Sequence, residues 1–332
     1  MKRLSVLLGI ILMASVFAVG CTKVANTPIE NKPQAKAVIH IAGLQGPTSI
    51  GMIKMFEEKP SLGANLQSDY QIIKTPDILV SKLISKEIDI ATVPTNLAAK
   101  IYNKGIDYKL AAMNTWGVLY LVGSEKNIKS WKALKGKTIY SVGKGTIPDI
   151  AARYLLDKNG LAPEKDVTIN YTLAQVELAQ AIIAGKVKLA ILPEPFVTMV
   201  STKNPQVKII FDIQKEWDKA SGSTGAFAQT CLLVKGQLGD KNSAVVDKFL
   251  KEYKKSIEWV NSNQAEAGKL VEKNGVGIKS KVAELAIPRC NIRYEDAKTA
   301  KSKIESFFKI ILEYSPKDIG GKIPDEGFYY KK

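Results

Sequence analysis

Between Ala37 and Phe211 short apolar runs alternate with longer stretches in which apolar residues recur every three or four positions. The runs Val38–Leu44, Tyr70–Thr75 and Ile88–Val93 predict strands, and the segments between and after them predict helices over Gly46–Glu58, Pro76–Lys86 and Thr95–Asn103. In the second of these helices Ile78, Leu79, Leu83 and Ile84 share one face. Tyr108–Trp116 and Val118–Val122 follow as two strands with no helix between them. A second series then begins, with strands at Thr138–Val142, Val167–Tyr171, Leu189–Leu192 and Val207–Phe211 and helices at Pro148–Asp157, Val176–Ala184 and Phe196–Ser201. Ala226–Val234 returns as a strand, after which the period is helical over Ser243–Asn261, Ala265–Lys273, Ser280–Ala286 and Glu295–Tyr314.

Strands alternating with helices predict an α/β fold with mixed, mostly parallel sheets and right-handed crossovers. A chain that leaves one α/β unit, builds another and comes back predicts two lobes joined by a two-strand hinge. The crossings are expected in the polar run Gly123–Asn127 and in the glycine- and serine-rich run Asp218–Gly225. Lobe I is then 37–123 with 225–332, and lobe II is 124–224.

Four strand-to-helix turns carry similar residues: Gly43–Gly51, Val93–Asn96, Gly143–Asp149 and Leu192–Pro195. A helix start leaves amide N–H groups unpaired beside the positive end of the helix dipole, so such turns can receive a ligand. Gln45, Thr48 and Ser49 are candidate donors from the first turn, Thr95 and Asn96 from the second, and Thr146 with the Gly145 amide from the third. The competing reading is that Thr48, Thr95 and Thr146 only cap their helices. Trp116, beside Gly117, suits either stacking on a planar ligand or core packing. Glu194, between two prolines, suits either a hinge hydrogen bond or recognition of a donor. Lys144 is the one cation in these turns and none contains arginine, which points away from a free divalent anion, since that would call for arginine forks.

At the amino end, Met1-Lys2-Arg3 precedes the uncharged apolar run Leu4–Val19 and then Gly20-Cys21. The run is shorter than the ~20 residues of a membrane span and suits a secretory signal over 1–20. Ala18-Val19-Gly20-Cys21 resembles a bacterial lipobox, which implies a diacylated Cys21, a flexible tether over 21–36 and a folded part held outside the membrane.

The formal charge of +16 comes almost entirely from lysine spread along every segment, a solvated surface rather than the arginine-rich face of a nucleic-acid reader. A single histidine, His40, lies mid-strand, and with Cys231 and Cys290 as the only spare cysteines there are too few parts for a zinc site or a cysteine–histidine nucleophile. No metal, no cofactor and no catalytic residue is therefore expected. Cys231, in an apolar run, is expected to be a buried thiol.

Gly46-Pro47-Thr48-Ser49-Ile50-Gly51, Asp89-Ile90-Ala91, Leu134–Ile139 with Gly143–Thr146, Leu189–Pro195 and Ile323–Tyr330 occur in that order. Together they resemble the periplasmic binding protein-like type II fold, in particular the solute-binding proteins of ABC importers for nitrate, sulfonate, taurine and thiamine precursors. The resemblance implies a monomeric, lipid-anchored, extracytoplasmic receptor that closes over a small organic solute, a pyrimidine-like precursor or a sulfonate, and passes it to an ABC permease. The alternative is a cytoplasmic enzyme of the same fold in thiamine or menaquinone biosynthesis. The cysteine-rich run and histidine of the yeast-type pyrimidine-synthesis enzymes are missing here, which favours binding without chemistry.

Overall fold

A computed structural model of the chain describes residues 36–331. The expected signal, Cys21 and most of the tether lie outside the described residues. Among the described residues eleven strands form two mixed sheets. In chain order they are β1 Ala37–Leu44, β2 Leu66–Ile73, β3 Ile90–Pro94, β4 Tyr108–Trp116, β5 Leu119–Gly123, β6 Thr138–Tyr140, β7 Thr168–Asn170, β8 Leu189–Pro193, β9 Lys208–Asp212, β10 Ala228–Lys235 and β11 Ile292–Asp296. The first sheet has the order β11-β4-β10-β3-β1-β2 and the second the order β7-β6-β8-β5-β9.

The pairs built by strand–helix–strand units are parallel: β1 with β2 and β3, and β6 with β7 and β8. Strands next to the crossings pair antiparallel, β10 with β3 and β4, and β5 with β8 and β9. This antiparallel share exceeds what the strand–helix alternation suggests, because a chain that leaves a sheet and returns must run back against its neighbours. β3, β5 and β8 are buried nearly end to end, as strands covered on both faces should be.

Because β5 belongs to the second sheet, the backbone passes between the sheets at Gly117–Val118, upstream of the polar run Gly123–Asn127 where the crossing is expected. The physical reason is packing: a side chain at 117 would put its Cβ 2.2 Å from Gln214 Oε1, so only glycine lets the chain through. Gly117 N donates to that Oε1 at 3.1 Å, Asn291 Nδ2 donates to Gly117 O at 3.4 Å, and Trp116 N donates to Asn291 O at 3.3 Å. The return follows a helix over Ile213–Ser221, whose N-cap Asp212 accepts from Lys215 N and whose C-cap is left-handed Gly222.

Trp217 of that helix is fully buried and touches Tyr154, Phe227 and Phe307 with ring centroids 4.4 to 5.3 Å apart. Tyr154 comes from the second α/β unit and Phe307 from the helix Ala297–Tyr314, so one aromatic cluster ties the two units together. Such ring pairs add about 0.5–1.5 kcal/mol each beyond area burial. Cys231 and Cys290 are both free and buried, and burial pushes both thiols well above their ordinary range. Among the described residues no helix is long and apolar enough to cross a membrane.

Candidate functional site

The hydroxyls in the turns do not cap their helices. Thr48 Oγ1 and Ser49 Oγ both donate to Leu44 O, at 2.6 and 2.5 Å, and Thr146 Oγ1 donates to Gly143 O at 2.5 Å and Val142 O at 3.1 Å. They close the turn behind them, so the helices Pro47–Gly51 and Ile147–Lys158 begin without a side-chain cap, and Thr95–Asn103, whose N-cap is Pro94, has none either. Gln45 points elsewhere, its Nε2 donating to Val276 O at 2.7 Å.

Asn96 and Gly145 are brought into contact. Asn96 is fully buried, and its Nδ2 donates to Gly145 O at 3.2 Å and to Asp318 O at 3.4 Å, so the turn after β3 meets the turn after β6. Gly145 N donates to Asp149 Oδ2 at 2.7 Å. Asp149, fully buried, also accepts from Arg153 Nε at 2.9 Å, Arg153 Nη2 at 2.8 Å and the Tyr171 hydroxyl. Arg153 Nη2 lies 3.7 Å from Asp318 Oδ2, which accepts from Ser315 Oγ. Burial first, and then the bond to Asp149, push the Tyr171 phenol far above its ordinary range. This saturated network spans both α/β units.

A second group of polar atoms is buried without any partner: Thr95 Oγ1, Asn96 Oδ1, Thr115 Oγ1, Trp116 Nε1, Ser141 Oγ and Gln229 Oε1. Five come from one end of the first sheet, where β10 aligns Thr230 with both Pro94 and Thr115 and Ala228 with Trp116. Ser141 comes from the facing end of β6. A buried donor or acceptor without a partner costs about 1–3 kcal/mol, so this concentration is what a site awaiting a ligand would show.

Trp116 is 1% exposed, with Arg293 and Lys303 each 5.0 Å from its ring centre. Its ring is occupied by packing and cations, and its indole N–H is the free handle. Glu194 is fully buried. Its Oε1 accepts from Arg289 Nε at 2.6 Å and its Oε2 from Thr198 N at 2.9 Å, while Arg289 Nη2 donates to Thr198 Oγ1. Both carboxylate oxygens are thus engaged.

Two cavities, about 690 and 1200 Å³, open on the described residues, and none of the nine candidate ligand-binding residues lines either. Sequence reasoning missed Thr115, Ser141 and Gln229, which sit inside or just after strands where the pattern reads only as core. It also missed Arg153, although its spacing of four from Asp149 on a helix is a signal for pairing.

A sequence profile for the periplasmic substrate-binding protein of phosphonate ABC transporters matches residues 61–277. The chain belongs to that family. A crystal structure of an ABC transporter protein from Parabacteroides distasonis is 31% identical, covers 90% of this chain and 100% of its own, and superposes with a TM-score of 0.74. The periplasmic aliphatic sulphonate-binding protein SsuA of Escherichia coli is 17% identical over 88% of this chain and 93% of its own, with a TM-score of 0.66, a likeness of fold. The Bacillus subtilis protein YtlA, described as a binding protein, is 27% identical over 135 residues, 41% of this chain and 38% of that relative. The fold and family expected from the sequence motifs are those found, and the function class is periplasmic substrate binding for an ABC transporter.

Proposed function

We propose that the two sheets are lobes that close over a small organic solute at the ends of β3, β4, β6 and β10, and that the solute is neutral or singly charged with a planar part. A pyrimidine-like precursor or a monoanionic sulfonate fits this description. The carrying observation is the set of six unpartnered buried polar atoms, which supply hydroxyl and indole donors and amide acceptors. Arg153 is paired with Asp149 and Asp318 and Arg289 with Glu194, while Lys303 and Arg293 share the single carboxylate of Glu295 and Lys144 forms no ion pair among the described residues, which leaves a small positive excess suited to a monoanion. A dianionic phosphonate would need a guanidinium freed from these pairs. Entry requires opening of the Asn96–Gly145 contact, a hinge motion at Gly117–Val118 and in the segment before β10, biased by contacts that exist only when both lobes touch the solute.

Mass spectrometry of the small molecule that co-purifies with the mature protein tests this directly. A planar or monoanionic compound supports the reading, and a phosphonate dianion overturns it. In calorimetry with that compound Trp116→Ala is expected to weaken binding more than Lys144→Ala; the reverse order would make the solute chiefly an anion.

The same reading places the mature protein on the outer face of the membrane through a lipid on Cys21, as a monomer serving a permease. Labelling cells with a palmitate analogue should mark the wild type and not Cys21→Ala.

A further inference from the structure

A cavity of about 1200 Å³ opens beside Ala111 of β4, roughly 13 Å along the strand from Thr115 and the candidate cleft. It exists because the edge of β4 is covered in two pieces. β11 aligns with Ala112, Met113 and Thr115, while the carboxyl-terminal tail bridges Leu110 through Tyr329 and donates Tyr330 N to Leu110 O at 2.8 Å. The helix Ser243–Ser262 forms the opposite wall.

The lining is chemically specific. Tyr294, Tyr329 and Tyr330 contribute flat apolar faces, with Leu250 and Ala297 between them. Tyr329 and Tyr330 are 5% and 9% exposed, and the hydroxyls of both, together with Asp247 Oδ1, are buried without a partner. Burial, and then nearby carboxylates, push the Tyr294 phenol up to about 12 and the Tyr329 phenol higher still, so both remain neutral and add no negative charge to the lining.

The charges are uneven. Glu326 is held by Lys301, Glu252 by Lys255, and Asp296 caps the helix Ala297–Tyr314 through Thr299 N. Lys248, Lys251 and Lys298 also line the cavity and form no ion pair among the described residues.

We infer that this cavity is a second binding site, for a hydroxylated ring bearing an anionic group, such as a sugar phosphate or a sugar acid. The ring's C–H faces lie against the exposed parts of the tyrosine rings, a ring hydroxyl donates to the accessible oxygen of the half-buried Asp247 carboxylate, and the free lysines hold the anion. Neither the family nor the cleft requires such a site.

Calorimetry of the mature protein with glucose 6-phosphate tests it, with glucose and inorganic phosphate as controls. Glucose 6-phosphate is expected to bind at least tenfold more tightly than either control. The affinity should fall at least fivefold in Asp247→Asn and in Lys251→Gln, two variants that keep the packing, and persist in Asn96→Ala. Phosphate binding as tightly as glucose 6-phosphate would mean an adventitious ion only, and no binding of glucose 6-phosphate to the wild type, or its loss in Asn96→Ala, would equally overturn the assignment.

Discussion

Two groups of buried polar side chains lie side by side where the α/β units meet, and they are built on opposite terms. Around Asp149 every oxygen is used: Gly145 N, Arg153 and Tyr171 converge on it, and Asp318 with Ser315 closes the far side. Around Thr115, Trp116, Gln229 and Ser141 the atoms are equally buried and face nothing that bonds them. Asn96 belongs to both, its Nδ2 engaged and its Oδ1 not. A satisfied buried network contributes specificity and rigidity, whereas an unsatisfied one carries a standing cost that only a ligand offsets. The first group reads as a join between units and the second as a receptor surface.

The sharpest way to break this contrast is to remove a charge from the join. Arg153→Ala leaves fully buried Asp149 and Asp318 facing each other uncompensated, so a loss of about 3–5 kcal/mol in urea denaturation is expected; a loss under ~1 kcal/mol would mean that water already screens the network. Glu194→Gln, which strips the charge from a buried carboxylate bonded to Arg289 and Thr198 N, is expected to cost about 2 kcal/mol by the same measurement.

The receptor group should respond in the reverse sense. Thr115→Val and Ser141→Ala are expected to leave stability within ~0.5 kcal/mol of wild type or raise it slightly, while each weakens the co-purifying solute about tenfold, or ~1.4 kcal/mol, in calorimetry. A stability loss above ~1 kcal/mol in either would show that its hydroxyl is bonded within the protein.

The smallest expected response is chemical. Burial raises the Cys231 and Cys290 thiols, so both remain protonated at pH 8, and a thiolate-seeking reagent should label neither in the folded protein while labelling both after denaturation. Fast labelling of Cys231 in the native state would show that the end of β10 beside Thr95 is open to solvent.

Much of the fold can be read from period alone. Tyr108–Trp116, Thr95–Asn103 and Ser280–Ala286 occur with the predicted bounds because each combines a strong period with turn residues at both ends. The helix Ile213–Ser221 was obscured by its polarity: only Ile213 and Trp217 face inward, although Asp212 and Gly222 mark its two ends. The last two residues of β11, Glu295 and Asp296, read as the start of a helix because Asp296 looks like an ordinary helical residue until its role as N-cap is known. Gly46–Glu58 divides at Met52 into Pro47–Gly51 and Ile53–Glu58, a break that no proline marks.

Less of the candidate site is legible. Residue type picks out Thr95, Asn96, Gly145 and Trp116 as candidates, yet it does not tell a hydroxyl that turns back on its own strand, as in Thr48, Ser49 and Thr146, from one that is left free, as in Thr115 and Ser141. The carbonyls that take up Thr48, Ser49 and Thr146 lie within five residues, so that difference is one of local backbone geometry; elsewhere the missing information is a partner far along the chain. Asp318 is the clearest case, since nothing in the run Ser315–Gly320 hints at Arg153.

The tail segment Tyr329–Tyr330, fitted against Leu110 with its second ring lying over Gly239, covers a stretch of β4 that β11 leaves bare. Clipping the chain after Gly327 would uncover a row of backbone amides and carbonyls able to recruit the same edge of a neighbouring copy, so an intact segment after Gly327 bears on whether the protein stays dispersed or clumps.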